Sequence, residues 1–93
     1  MAARVQLVTR EGCHLCTEAR AVVRRVLGEP GAAWEELDVD DPGADPAFRA
    51  AHTDWVPVLL LDGAVLDSFR VDEQRLRAAV GADSRQRRRR RPW

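Results

Sequence analysis

Ninety-three residues suffice for one domain, and a domain this small buries only about 60–65% of its unfolded-chain surface, so its core must be efficient. The apolar share of 45% is ordinary for a globular protein. The net charge of zero hides an asymmetry: residues 1–84 carry nine arginines against fifteen acids, residues 85–93 carry six arginines and no acid, and the whole-chain charge therefore assigns no partner.

Met1-Ala2-Ala3-Arg4 runs directly into Val5 to Thr9, a stretch too short for a signal sequence or a membrane span, so a cytoplasmic protein without membrane contact is expected. Arg4 to Thr9 reads as a first strand. Arg10-Glu11-Gly12 turns the chain. Leu15, Ala19, Val22, Val23, Val26 and Leu27 then recur at helical spacing on one face, and Gly28 and Pro30 end that helix. Trp34 to Asp40 alternates as a second strand: Leu37 and Val39 point one way, and Glu36, Asp38 and Asp40 share a wet face. Asp45-Pro46 caps and opens a short helix to about His52. Val58 to Leu61 is apolar throughout and reads as a central strand. Asp62-Gly63 signals a hairpin returning as Val65 to Phe69. Asp72 caps a last helix with Leu76, Ala79 and Val80 on its buried stripe, and Gly81 is expected to stop it. The order is β-α-β-α-β-β-α. One domain over 1–83 and a disordered arginine-rich tail over 84–93 are expected.

Cys13-His14-Leu15-Cys16 sits where the first strand hands over to the first helix. A close cysteine pair in a reducing compartment points to redox catalysis or metal binding rather than to a structural staple. Helical geometry sets Cα atoms three residues apart at about 5 Å, inside the roughly 4.4–6.8 Å that a disulfide needs. The unpaired N–H groups and partial positive charge of a helix N-terminus favour a thiolate at Cys13, making it the nucleophile. Cys16, one turn in and more buried, would attack the mixed disulfide and release the product. His14 either supports the Cys13 thiolate as an imidazolium or is a tolerated exposed residue.

Two other uses stay open at this level. The same thiol pair would hold a soft metal, Cu(I) or zinc. Zinc has only Cys13, Cys16, His14 and His52 to draw on, and copper-carrying domains of this kind run β-α-β-β-α-β. An adaptor would instead make weak, salt-dependent nucleic-acid contact through Arg85-Gln86-Arg87-Arg88-Arg89-Arg90-Arg91, with only Trp93 to stack on a base.

Over residues 4–81 the sequence resembles the glutaredoxin-like family of the thioredoxin fold. Arg10 stands three residues before Cys13, where the family has a basic residue. Cys13-His14-Leu15-Cys16 occupies the active-site motif. Leu37-Asp38-Val39-Asp40-Asp41-Pro42 is similar to the family's acidic segment, and Trp55-Val56-Pro57 to its threonine-valine-proline, whose proline is cis. The resemblance implies an α/β, thioredoxin-like fold with a central four-stranded mixed sheet flanked by three helices. It implies dithiol–disulfide exchange through Cys13 and Cys16, with Arg10, His14, Val56 and Pro57 as the substrate-binding set. The expected partner is a protein or low-molecular-weight thiol or disulfide, handled by a monomer without cofactor or metal. Where the family has a glycine pair cradling one end of glutathione, this chain has Asp67-Ser68, with Asp72 and Glu73 close behind. The expectation is that Asp67 repels a docking carboxylate and that glutathione is a poor partner.

Overall fold

The computed structural model describes residues 4–31 and 33–89. Strand β1 (Val5–Thr9) leads into helix α1 (His14–Leu27), followed by β2 (Trp34–Asp38), α2 (Pro46–His52), β3 (Val58–Leu61), β4 (Ala64–Ser68) and α3 (Glu73–Arg89). The sheet order is β2-β1-β3-β4, with β2 parallel to β1 and the other two pairings antiparallel. This is the thioredoxin-like α/β arrangement of a four-stranded mixed sheet and three helices. The β-α-β-β-α-β order of a copper-carrying domain is absent.

β1 is central because it is buried along its whole length. Val5 and Leu7 face one side and join Trp34, Leu59, Ala19, Val23 and Leu76; Val8 faces the other and joins Val39, Val58 and Leu60. Each sequence run therefore feeds two half-cores separated by the sheet. Local signals fix the joints. Gly28 leaves α1 at φ 83°, a conformation open to glycine, while its N–H returns to the Arg24 carbonyl. The Trp34 indole then donates to the Gly28 carbonyl at 2.8 Å, pinning the start of β2 to the end of α1. At the hairpin, Asp62 and Gly63 both take positive φ, the pattern of a tight type I′ turn.

Three features differ from the sequence reading, besides β2 ending at Asp38 rather than at Asp40. The last strand ends at Ser68 because Phe69 turns to φ 66° and donates its N–H to the Pro57 carbonyl. Glu36 does not lie on a wet face. It shares a face of β2 with the buried Trp34, is half-buried, and bonds to Arg20 and Thr9. Helix α3 is not stopped by Gly81 but runs through it to Arg89. A glycine inside a helix costs only about 1 kcal/mol relative to alanine. Unlike Gly28, Gly81 has no positive φ, and no proline follows before Pro92. The arginine-rich segment expected to lack structure is thus helical over 84–89, and 90–93 lie outside the described residues. Among the described residues, no helix is long and apolar enough to cross a membrane.

Candidate active site

The thiol turn hangs from the C-terminal end of β1. Gly12 takes φ 77°, and the Cys13 N–H reaches back to the Arg10 carbonyl at 3.3 Å, closing the turn. Cys13 is the N-cap of α1, with an extended backbone; its carbonyl accepts from the Thr17 N–H at 3.2 Å. Where serine or aspartate would cap with oxygen, Cys13 caps with sulfur: the Cys16 N–H donates to its Sγ at 3.2 Å. Both cysteines are free; Cys13 is half-buried, while Cys16 is only 1% exposed. Burial, reinforced by its bond with Cys13, pushes the Cys16 thiol up to about 11. The asymmetry is chemical: one sulfur is reachable and capped, and the other is covered and protonated at neutral pH.

Arg10 is not the free cation that its motif position suggests. Its guanidinium grips Asp40 with Nε at 2.7 Å and Nη2 at 3.1 Å, and reaches Thr53 at both the hydroxyl and the carbonyl. Asp40 is held below the usual carboxylate range by this hydrogen-bonded pair, with burial opposing. Arg10 thereby ties the thiol turn to the end of β2 and the end of α2. An anionic partner at Arg10 would share this guanidinium with Asp40. His14 is the exposed first residue of α1, and its side chain makes no hydrogen bond among the described residues.

Val56 and Pro57 precede β3, and the bond between them is cis. The antiparallel register pairs Val8 with Val58, so two residues further along Val56 lies level with Arg10, where the thiol turn begins. Pro57 is fully buried and Val56 half-buried against the Val8 half-core. Among the described residues, the Val56 N–H and carbonyl have no hydrogen-bond partner. Beside them Trp55 is 53% exposed and lies against Phe69, ring centroids 5.6 Å apart.

Asp67 is also not a bare charge. Its carboxylate accepts from Arg75 at 3.0 Å and from the Asp72 N–H at 3.1 Å. The side chain that the sequence sets against a docking carboxylate is thus itself paired, with Arg75 and the Asp72 N–H.

Sequence reasoning missed the side chains that surround these residues. Thr53 and Phe69 give no local signal, and Asp40 reads only as part of the acidic segment after the second strand. Arg20 gives one: it follows Cys16 by four residues, the spacing that brings two side chains together on a helix. Among the described residues no three histidine, cysteine or acidic side chains converge, so the thiol pair has no third donor for zinc. The side chains of the arginine run lie outside the described residues.

A family model described as Glutaredoxin-like domain (DUF836) matches residues 4–81. An uncharacterized protein of Mycobacterium tuberculosis is 37% identical over 79 residues, covering 83% of this chain and 81% of that protein. A glutaredoxin-like protein of Dictyostelium discoideum is 30% identical over 76 residues, covering 77% of this chain and 69% of its own length. Among solved structures, a structural-genomics target from X. campestris superposes with a TM-score of 0.63 at 29% identity, covering 84% of this chain and 96% of that one. Oxidized glutaredoxin 2 from Chlamydomonas reinhardtii shares the fold with a TM-score of 0.54 at 16% identity, over 91% of this chain and 78% of its own. With its thiol turn and strand order in the same span as the family match, the chain belongs to the glutaredoxin-like domain family.

Proposed function

We propose that this protein is a thiol–disulfide oxidoreductase that exchanges its Cys13–Cys16 dithiol with protein or low-molecular-weight disulfides. The observation that carries this reading is the sulfur N-cap: a reachable Cys13 receives the N–H of a buried Cys16 one turn away.

The steps follow from that asymmetry. The Cys13 thiolate attacks one sulfur of a partner disulfide. A Cys13–partner bond forms, the partner's own S–S bond breaks, and the second partner sulfur leaves as a thiolate that takes up a proton. Cys16 then loses its proton to solvent and attacks the Cys13 sulfur. The intramolecular disulfide forms as the remaining partner sulfur departs with the electron pair. Two electrons pass from the cysteine pair to the partner, and the reverse sequence oxidises a partner dithiol. The unpaired main-chain groups of Val56 suit an extended partner, which would pair with them as an added strand. Arg10 supports the turn through Asp40 and Thr53.

The test separates the two sulfurs. Mild oxidation should yield an intramolecular disulfide, Cys13→Ser should abolish exchange, and Cys16→Ser should accumulate a mixed disulfide with the partner. Alkylation at neutral pH should label Cys13 first. Faster labelling of Cys16 would overturn the assignment of roles.

A further inference from the structure

Below Cys16 lies an ion pair that the exchange steps do not use. Arg20 sits four residues after Cys16 on α1, and neighbours at that spacing share one helix face. Its guanidinium meets Glu36 of β2 fork to fork, Nε to Oε1 and Nη2 to Oε2, both at 2.7 Å. The hydroxyl of Thr9, buried at the end of β1, donates to the same carboxylate at 2.9 Å. Arg20 and Glu36 are 28% and 27% exposed, which makes this the most covered ion pair among the described residues. Charges in such a setting are screened less than surface charges and act more strongly on their neighbours.

The neighbour that matters is the resolving thiol. Burial drives Cys16 up, the Cys13 sulfur adds to the rise, and the Arg10 main chain and the Arg20 cation pull it down. Glu36 is held below the ordinary carboxylate range, first by its bonds from Arg20, so it is ionised at neutral pH; Arg24 acts on it in the same direction. The Arg20 cation, one turn beyond Cys16 on the same helix, is thus held by a carboxylate from the sheet.

Resting on the exchange reading above, we propose that Glu36 and Arg20 are positioning residues for the resolving step: Glu36 restrains the Arg20 cation, and the balance of the two charges sets how readily Cys16 gives up its proton. The pair touches no partner and forms no bond in the reaction. It acts through Cys16, whose thiolate is the attacking species. Breaking the balance from either side has opposite consequences. Without the Glu36 charge, Arg20 stabilises the Cys16 thiolate. Without the Arg20 charge, an uncompensated carboxylate opposes it.

The experiment isolates resolution from everything before it. The reduced full chain is treated with 5,5′-dithiobis(2-nitrobenzoate), which places a thionitrobenzoate group on Cys13. Attack by Cys16 breaks that bond, forms the Cys13–Cys16 disulfide and releases a second, coloured thionitrobenzoate. Release is timed from about pH 6 to about pH 9, where a rate set by thiolate fraction rises with pH. In Glu36→Gln the pH–rate line should move about half a unit to acid. Release at neutral pH should be about threefold faster, a tenfold gain in thiolate being partly offset by weaker nucleophilicity. In Arg20→Met the line should move the other way, with slower release. The double variant should fall between them. A purely structural role moves both single variants in the same direction, and that outcome, or no movement in either, overturns the proposal. If Glu36→Gln fails to fold, Arg20→Met is compared with Arg20→Lys, which keeps the cation: slowing in Arg20→Met that Arg20→Lys restores supports the charge role, and equal slowing in both overturns the proposal. Release that persists undiminished in Cys16→Ser would overturn the exchange reading itself, independently of the pair.

Discussion

On one face of the sheet, Val5, Leu7, Trp34 and Leu59 pack against Ala19 and Val23 of α1 and Leu76 of α3; on the other, Val8, Val39, Val58 and Leu60 meet only half-buried Phe48 and Val56. The difference begins with helix length. The first face is covered by helices of 14 and 17 residues, the second by a seven-residue α2 that buries none of its own side chains. Val65, cross-strand from Leu60, is left 59% exposed, and an open cleft of about 400 Å³ lies between α2 and β4, lined by Ala51, His52, Trp55, Val58, Val65 and Ser68. The well-covered face holds the chain together and shelters Cys16. The thinly covered face keeps apolar surface open between α2 and β4.

The largest expected effect tests that division directly. Leu76→Ala, at a fully buried site, should cost about 2–5 kcal/mol in urea unfolding. Phe48→Ala should cost roughly half of the 3–5 kcal/mol typical of a buried phenylalanine, because Phe48 is only half covered. Equal costs would mean that the two faces share stability evenly, contrary to their packing.

A second effect belongs to the sheltered sulfur. Cys16 is pushed up to about 11 by burial, against about 9.0 for an ordinary thiol. The folded chain therefore keeps a proton that the unfolded chain gives up between those values. Stability is unaffected below about pH 8 and falls as pH rises toward 11, by about 2–3 kcal/mol at full ionisation. Unfolding curves in the presence of reductant should show this loss in the native chain and not in Cys16→Ala. An alkaline slope that survives the substitution would assign the loss to other groups.

Much of this architecture was legible because its signals are local. Asp45-Pro46 opened α2, Asp62-Gly63 turned the hairpin, and the apolar run Val58 to Leu61 became a buried strand, each through chemistry contained within a few residues. The thiol turn was legible for the same reason. What escaped depends on distant partners. Glu36 reads as a solvent-facing acid until β2 is laid beside β1 and under α1, where Thr9 and Arg20 meet it. Arg10 reads as a free cation until Asp40 and Thr53 arrive from two other elements. The passage of α3 through Gly81 escaped because one glycine is a weak signal against a run of helix-forming neighbours.

The smallest effect lies where β4 meets the start of α3, on the rim between the two faces. Asp67 is 15% exposed, receives Arg75 at 3.0 Å and accepts the Asp72 N–H at 3.1 Å. A helix start with a free N–H and a nearby cation attracts carboxylates. Here the chain's own carboxylate occupies the helix start, and a glutathione carboxylate directed there would have to displace it. Asp67→Gly removes the internal anion and releases both Arg75 and the Asp72 N–H. Reduction of the Cys13–Cys16 disulfide by glutathione should then accelerate several-fold, up to about tenfold, the change expected when one charge contact near a surface turns from unfavourable to favourable. Dithiothreitol, which has no carboxylate, provides the control, and its rate should not change. A rise with both reductants would mean that the substitution has loosened the thiol turn. A rise with neither would mean that glutathione does not meet this rim, and the internal carboxylate would then be only a brace between β4 and α3.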